Sequence, residues 1–451
     1  MEVTLQQMLQ ARELRAERQR AMLAKGRGSL VCFTMNIAGP VKNSPSIREG
    51  FEIGLTQLED QLRGAGARVL CRETYREITG CEAMLLVDRE ALAVKALTVE
   101  IEDGSPLGRL FDMDVLRPDG TKVDRQELGL SGRKCLLCGQ PAQVCARSRT
   151  HSVAQLRQAT EELLTAAIWN RDCDLAAQTA VRALLCEAAT TPKPGLVDCR
   201  NSGSHRDMDF FTFQASAAAL GPYFGKCARI GMETRACPPE ETFRKLRLPG
   251  KEAEGAMLRA TGGVNTHKGA IFSLGILCGA WGRLDSSQRQ QPEKILEVCA
   301  QMTRGLTAGD FAGLTEDNAR TAGQKLYLRY GITGVRGQAE AGFPVVAQVG
   351  LKRLEEGLAQ GRTLNDAGCA ALLAMLVAAD DTNMIHRGGY ETHQRVRQEL
   401  AHTLARQPFP DQETLKTLDD AFIRQNLSPG GTADLLAATY LLHFWKEENH
   451  V

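Results

Sequence analysis

The sequence predicts two domains in series, an α+β domain followed by an all-α domain. Its 451 residues exceed what one hydrophobic core usually organises. Up to about Val123 short β-rich runs mix with a single helical run, whereas beyond Ser152 long Ala- and Leu-rich helical stretches take over and convincing strands cease. A hydrophobic share of 43% and a charged share of 24% are ordinary globular usage, which excludes wholesale disorder and collagen-like structure.

Residues 1–25, with Leu5, Met8 and Leu9 at helical spacing amid Arg and Glu, read as an amphipathic helix packing on the body. Leu30 to Ile37, Arg68 to Cys71, Ala83 to Val87, Leu92 to Glu102 and Phe111 to Leu116 read as strands, most of them with β-branched residues or alternation, and Pro45 to Leu62 reads as a helix. Neither Gly nor Pro occurs between Pro141 and Pro192, so the junction is expected inside helices between Ser152 and Ala180, and the domains are set at 1–170 and 171–451. No internal repeat or low-complexity segment is present.

Fifty-five Lys and Arg against fifty-four Asp and Glu leave a net charge of +1, which provides no global field for a nucleic-acid backbone or an anionic membrane. Ala370 to Ala379, the longest apolar run, is too short to cross a bilayer and ends in Asp380 and Asp381. Charge throughout Arg12 to Lys25 argues against a signal peptide, so a cytoplasmic protein is expected, with its fourteen Cys as thiols or metal ligands rather than disulfides.

The first chemical constellation is Gly108-Arg109-Leu-Phe111-Asp112-Met113-Asp114-Val115. On a strand Asp112 and Asp114 project from one face while Phe111, Met113 and Val115 enter the core. Two carboxylates sharing a small volume repel unless a divalent cation joins them, and Mg²⁺ favours carboxylates plus substrate phosphates. With Arg109 nearby, the pair suits metal-assisted transfer of a nucleotidyl group to a hydroxyl. A bare Asp-x-Asp is more often a solvated face; Glu100 or Glu102, on the preceding expected strand, could add a third acid. Further on, Cys135, Cys138, Cys145 and His151 form C-x2-C-x6-C-x5-H, enough soft ligands for a tetrahedral zinc site. Against zinc, only one C-x2-C is present and free Cys is commonly a small buried hydrophobe, and this remains the weightier reading. Arg133, Lys134, Arg147 and Arg149 around them more simply serve an anionic substrate or an acidic partner.

Four polar motifs punctuate the helical half. Thr191-Pro-Lys193-Pro-Gly195-Leu-Val-Asp198, continuing through His205 and Asp207, is expected to display Lys193, Asp198, His205 and Asp207 on a stiff loop suited to phosphate or metal. Thr261-Gly-Gly-Val-Asn265-Thr-His267-Lys268-Gly269 precedes an apolar helix and resembles a phosphate cradle, although Walker A spacing is absent. Asp380-Asp381-Thr-Asn383, followed by His386-Arg387-Gly-Gly, places acids at a helix end, unfavourable unless a cation such as Mg²⁺ compensates. Asn426-Leu-Ser428-Pro-Gly-Gly-Thr-Ala-Asp434 opens the last helix with a second possible anion site. Singly, each has a bland account as helix stop, helix start or surface polar group; together they fit a deep site for a polyphosphate nucleotide with its magnesium.

At these residues both halves resemble known families. Ser29 to Ala167 resembles apo-citrate lyase phosphoribosyl-dephospho-CoA transferase, through Pro106-Leu-Gly-Arg-Leu-Phe-Asp-Met-Asp-Val115 and the Arg133 to His151 segment. Leu175 onward is similar to triphosphoribosyl-dephospho-CoA synthase, through the four motifs, Thr321-Ala-Gly-Gln324 and Gly334 to Gly342. The resemblance implies a fused, bifunctional cytoplasmic enzyme: an α+β nucleotidyltransferase-like N-terminal domain followed by an all-α C-terminal domain. The helical domain would join ATP to 3′-dephospho-CoA with loss of adenine; the first would transfer the phosphoribosyl-dephospho-CoA unit to a serine of the citrate lyase acyl carrier subunit and release pyrophosphate. It implies Mg²⁺ on Asp112 and Asp114, with Arg109 and Arg133 on the phosphates. In the synthase it implies Lys193, Asn265, Lys268, Arg387 and Ser428 on the triphosphate, and Asp207, Asp380 or Asp381 near the sugar with His205 or His267 assisting proton transfer. Asp380 departs from the Gly-Asp expected there, which makes Asp381 the safer metal ligand and leaves Asp380 and His386 without a role. A malonate decarboxylase counterpart and a non-catalytic carrier-binding maturation factor are the alternatives.

Overall fold

A computed structural model describes residues 2–447. Contacts divide the chain into two units between Arg171 and Asp172, a division that falls within one helix, Val153–Ala189.

The first unit is a four-stranded antiparallel sheet, β1 (Ser29–Met35), β2 (Arg68–Glu77), β3 (Gly80–Asp88) and β4 (Phe111–Leu116), in the order β2-β3-β1-β4. Its helices are α1 (Leu5–Leu23), α2 (Pro45–Gly64), α3 (Ala91–Gly104), the short α4 (Ala142–Ser148) and the start of α5 (Val153–Ala189). Alternation decides the layers. Val31, Phe33, Leu85, Phe111, Met113 and Val115 face a core shared with Phe51, Leu55 and Leu58 of α2, Val94 of α3 and Leu164 of α5. Leu30, Cys32, Met84, Leu86 and Leu116 face the other way, onto Met22. α2 begins at Ser44, whose hydroxyl accepts from the Ile47 amide, with Pro45 at its first turn. It approaches the sheet closely because Gly54 lies over the Phe33 and Phe111 rings, which meet edge to face at 5.2 Å while Phe33 stacks on Phe51 at 4.8 Å.

Two expectations for this unit are corrected. Leu92 to Glu102 is not a strand but most of helix α3. Its β-branched residues suggest a strand, yet Ala91, Val94, Lys95, Thr98, Ile101 and Glu102 recur on a helical period and are buried, and Glu90 caps the first turn by accepting from the amides of Leu92 and Ala93. α1 is a helix, closed by a Thr4–Gln7 capping box, but not an amphipathic one: Leu5 and Leu9 are exposed and Met22 is its one buried residue. The apolar stripe lapses because Arg12, Arg15 and Gln19 stand where it would continue. Polar contacts hold the helix instead, Arg15 on Glu82 at 2.5 Å, Gln19 on Cys32 at 3.3 Å and Arg18 over the Tyr75 ring at 3.6 Å.

Among the described residues the second unit is helical, with no strand beyond Leu116. α6 (Phe210–Glu233) and α7 (Pro239–Ala260) form an antiparallel start, and α8 (Lys268–Arg283) is buried on nearly every side. α8 lies tight against α6 because Gly231 and Gly282 have no side chain at the crossing, where Gly231 faces the Gly279 carbonyl and Gly282 faces Ala228. Trp281 of α8 stacks on Trp445 of the last helix, Gly430–Glu447, at 5.6 Å. Helix Leu364–Ala378 contributes a second core with Met384, Val396, Leu415 and Phe422. No single described helix is long and apolar enough to cross a membrane; one bent pair, Leu364–Ala378 with Thr382–Gly388, passes on composition, and the first of these is largely buried in the protein.

A Cβ at Gly54 would fall 2.6 Å from the Phe33 ring and 2.7 Å from that of Phe111. Gly54→Ala is expected to destabilise the first unit by about 1–3 kcal/mol. Chemical denaturation of the full chain, followed by Phe and Tyr environment in the near-ultraviolet, checks this.

Candidate active sites

In the first unit, Asp112 and Asp114 lie on one face of edge strand β4, half-exposed, while Phe111, Met113 and Val115 are buried. α3 fixes the free edge between them. Lys95 Nζ donates to the Met113 carbonyl at 2.8 Å, and the Met113 amide donates to Glu102 Oε1 at 2.8 Å. Burial pulls the Lys95 ammonium below its ordinary range, against the pull of Glu102 and Asp114. Neither acid of α3 joins the pair as a strand neighbour: Glu100 points to Gln61, and buried Glu102 pairs with Arg133 at 2.7 Å. Cations complete the face. Lys122 meets Asp114 at 2.6 Å, and Arg133, bonded to the Phe111 carbonyl, stands 3.9 Å from Asp112. Arg109, expected at the phosphates, donates to the carbonyls of Lys134 and Cys135 at 3.0 and 2.6 Å, which ties that loop to the strand.

In the second unit a cavity of about 680 Å³ gathers all four motifs: Lys193, His205, Asp207, Asn265, His267, Lys268, Asp381, Arg387 and Ser428 all line it. It also takes in Glu187 and Asp434, which sequence reasoning did not assign. The loop after Thr191 differs from the expectation of four displayed groups. Asp198 is buried and knits the loop by accepting from the amides of Lys193, Arg200 and Asn201. Lys193 is fully buried and its ammonium binds the Glu187 carboxylate and carbonyl. Buried Asp419 accepts from the Gly195 amide at 3.0 Å and Asn201 at 2.8 Å, with Arg200 beside it. Gly195, at φ +72°, admits no side chain because the Leu427 carbonyl lies against it.

Asp381 also differs. The helix Leu364–Ala378 ends before it, but a new helix, Thr382–Gly388, starts after it, so Asp381 is an N-cap rather than an acid at a C-terminus. Its Oδ1 accepts from the Met384 amide at 2.9 Å, and Oδ2 accepts from the Thr432 amide and hydroxyl at 2.7 and 2.8 Å. A cation is therefore not needed to explain its place. Burial still pushes its pKa up, against those donors. Asp380 turns outward to Arg397 at 2.9 Å.

Both histidines have pKa values pulled down by burial, and a neighbouring donor fixes the tautomer of His205. Arg387 Nη2, a donor only, lies 3.3 Å from His205 Nδ1, so Nε2 carries the proton and donates to Ser428 Oγ at 2.9 Å. Burial, then Arg387, lowers the His205 pKa. His267 is buried; its Nδ1 lies 2.7 Å from Ser216 Oγ, which itself accepts from Thr266. Ser216 Oγ either donates to Nδ1 or accepts from it, and in both cases the buried Nε2 has no partner among the described residues. Burial, with Lys193 nearby, drives His267 down to about 3. Lys268 begins α8, exposed and paired with Glu254 at 2.8 Å, and its amide donates to Asn265 at 3.3 Å. Asp434 is pushed well above the carboxylate range by burial, then by Glu187 and Asp381.

The charge of the cavity is informative. Glu187, Asp207, Asp380, Asp381 and Asp434 outnumber Lys193, Lys268 and Arg387 five to three among the lining residues. The signal for Asp434 was available in the sequence, since it is a carboxylate inside the otherwise apolar start of the last helix; Glu187, within an Ala-rich stretch, had none.

Comparison with known proteins separates the same two units. Residues 3–167 match a family model described as apo-citrate lyase phosphoribosyl-dephospho-CoA transferase, and residues 173–450 match one described as ATP:dephospho-CoA triphosphoribosyl transferase. A protein of Haemophilus influenzae named CitXG is 36% identical over 97% of this chain and 95% of its own length. The chain belongs to the CitXG family. A second CitXG protein, from Leuconostoc mesenteroides subsp. cremoris, is 33% identical over 98% of the chain and 97% of itself. A 2-(5''-triphosphoribosyl)-3'-dephosphocoenzyme-A synthase of Haemophilus ducreyi is 38% identical over 67% of the chain and 97% of itself. As a CitXG protein the chain is a bifunctional transferase, fused in the order that the sequence motifs imply.

A histidine with a depressed native pKa binds fewer protons folded than unfolded, so its contribution to stability is full above its unfolded pKa and is lost as pH falls. Between pH 7.5 and 5.0, His267 should account for ~2 kcal/mol of lost stability, from an unfolded pKa of about 6.5. Urea unfolding of wild type and His267→Gln at the two pH values tests this: the wild type should lose about that much more than the variant.

Proposed function

We propose that ATP and 3′-dephospho-CoA react in the second-unit cavity and that the product is transferred to a carrier serine at the Asp112/Asp114 face of β4. The chain makes the citrate lyase prosthetic group in these two steps. The observation that carries the placement is the convergence of four separated motifs on one cavity of about 680 Å³, a volume suited to a nucleotide and the reacting end of a second substrate.

In the first step the ribose 2′-hydroxyl of dephospho-CoA attacks the anomeric carbon of ATP. The bond from that carbon to adenine breaks, the proton lost from the hydroxyl is balanced by one gained on adenine, and the triphosphate stays attached. Positive charge develops at the sugar, so Asp207, exposed at the cavity, is placed as its electrostatic partner and as acceptor of the hydroxyl proton. Ser428 and His267 Nε2–H are neutral donors for phosphate oxygens, and Lys268 and Arg387 supply full charges.

The donor set fits a magnesium ion. A triphosphate entering a cavity with more acids than bases needs a counter-charge, and a cation would relieve the burial and the neighbouring carboxylates that raise the Asp434 pKa. Asp434, with Asp381 beside it, would hold the ion with the phosphates. When bound, it would neutralise the triphosphate and leave the sugar carbon as the reactive centre.

In the second step the carrier serine attacks the α-phosphorus, the bond to the β-phosphate breaks and pyrophosphate leaves. Asp112 and Asp114 offer half-exposed hard oxygens for a second magnesium ion, while Arg133 and Lys122 limit repulsion between them and approach the phosphates. The nucleotidyltransferase-like reading of this unit rests on that acid pair and on the chemistry. ATP and dephospho-CoA as substrates fit a cytoplasmic site of action.

Adenine release measured by chromatography and carrier mass measured by mass spectrometry test both halves. Asp112→Asn with Asp114→Asn should lower carrier labelling at least 100-fold with adenine release unchanged; Asp434→Asn should lower adenine release at least 10-fold while supplied triphosphoribosyl-dephospho-CoA is still transferred. Adenine release that is absent with every divalent metal tried overturns the placement of the first step.

A further inference from the structure

The segment from Arg133 to His151 carries a feature that neither reaction uses. Of its nineteen residues only Cys135 and Cys145 are buried, and Leu137 and Val144 are exposed. Its one regular element is the two-turn helix α4. Leu136 packs on the core of the unit, and a stretch of this length with so little apolar burial does not hold a single conformation by itself.

The four soft ligands of the segment nevertheless converge. Sγ of Cys135, Cys138 and Cys145 and a ring nitrogen of His151 all lie within 4.8 Å of one another. Cys138 Sγ is 3.4 Å from Cys145 Sγ and 3.2 Å from His151 Nε2. In a tetrahedral zinc site, metal bonds of about 2.3 Å to sulfur and about 2.0 Å to nitrogen place ligand atoms roughly 3.5–3.8 Å apart. The local backbone is a metal-binding knuckle. The Cys135 amide donates to the Gln140 carbonyl at 2.6 Å, and the Ala142 amide to the Arg133 carbonyl at 2.8 Å, which closes a narrow turn. Gly139, directly after Cys138, takes φ +59°, and the Leu137 amide points at Cys135 Sγ from 3.5 Å, as amides around a ligating sulfur do.

We propose that Cys135, Cys138, Cys145 and His151 bind one structural zinc ion, and that this ion holds the loop through which Arg109 and Arg133 are anchored beside Asp112. All four positions are filled by protein, so the site is closed and takes no part in chemistry. Its reach to the acid pair runs through two contacts: Arg109 donates to the carbonyls of Lys134 and Cys135, and Arg133 pairs with Glu102 while facing Asp112. Arg109 and Arg133 are thus positioned by the knuckle on one side and by β4 on the other. The sequence spacing alone left plain thiols as the weightier reading; the convergence of all four side chains reverses it.

The test is metal analysis of the full chain, purified without chelator from zinc-supplemented medium. One zinc per chain is expected, with all fourteen thiols titratable after denaturation. Less than a tenth of an equivalent, or twelve thiols because Cys138 and Cys145 have joined, overturns the proposal. The variant Cys138→Ser with Cys145→Ser should bind at least ten-fold less zinc and lose carrier labelling at least ten-fold, with adenine release unchanged to show that the second unit is folded; zinc retained at one equivalent overturns it. Should that variant not fold, cobalt substitution of the wild type decides. Tetrahedral thiolate-ligated cobalt gives strong visible absorption and sulfur-to-metal charge transfer, whereas a weak octahedral spectrum overturns the assignment.

Discussion

The cavity of the second unit depends on buried carboxylates that accept from loop amides. A helical bundle leaves its ligand-facing ends to loops, and loop backbone near a core must find partners or carry the cost of unpaired donors, roughly 1–3 kcal/mol each. Here aspartates supply the partners. Asp381 joins the start of helix Thr382–Gly388 to Thr432 in the last helix, and its own amide donates to His393 at 3.2 Å. Asp419 secures Gly195, and Asp198 folds the loop on itself. The acids of the four motifs therefore divide between those that build the cavity and those left to act in it. Asp381 does the first by accepting from the Met384 amide and from the amide and hydroxyl of Thr432, and Asp434 also accepts from a backbone amide, that of Ala270, whereas Asp207 is not used in this way.

The first unit solves a related problem at a sheet edge. β4 has β1 on one side only, and Met113 between the two acids would present an unpaired amide and carbonyl on the other. Lys95 and Glu102, two turns apart on α3, take both. Two charged side chains are buried together to do this, which is tolerable because each is bonded and they partly compensate one another. The strand is held flat at the point where Asp112 and Asp114 emerge, so the acid pair is displayed without being free to splay.

Much of this was legible in the sequence because function-bearing loops have chemistry that packing does not require. Phe111–Leu116 reads correctly from alternation alone, since one face is buried and the other carries the acids. The motif positions around the cavity were readable as Gly- and Pro-punctuated polar strings, and their convergence follows from the fold. What misled was composition without period. Leu92 to Glu102 has strand-like residues on a helical repeat, and its buried Lys95 and Glu102 are understandable only when the edge they serve is known. In the same way residue type alone does not separate Asp198 and Asp381, which accept from amides, from Asp207, which does not. The partners of Asp198 lie within five residues of it, whereas Asp381 also needs Thr432, more than fifty residues further on.

The neutral histidines extend the distinction from structure to chemistry. Neither holds an imidazolium proton to deliver at neutral pH: burial takes His267 to about 3, and burial, then Arg387, lowers His205 below its ordinary value. Their value is directional. Arg387 holds His205 Nδ1, His205 Nε2–H donates to Ser428 Oγ, and the Ser428 proton is thereby turned toward a further acceptor in the cavity. Ser216 holds Nδ1 of His267 at 2.7 Å, and its Nε2 has no partner among the described residues. The His205 chain ends in a neutral hydroxyl donor, and a site in which acids outnumber bases can then meet phosphate oxygens without burying further uncompensated cations. In the proposed reaction, proton movement at the sugar falls to carboxylates and the imidazoles are positioned beside hydroxyls, His205 at Ser428 and His267 at Ser216.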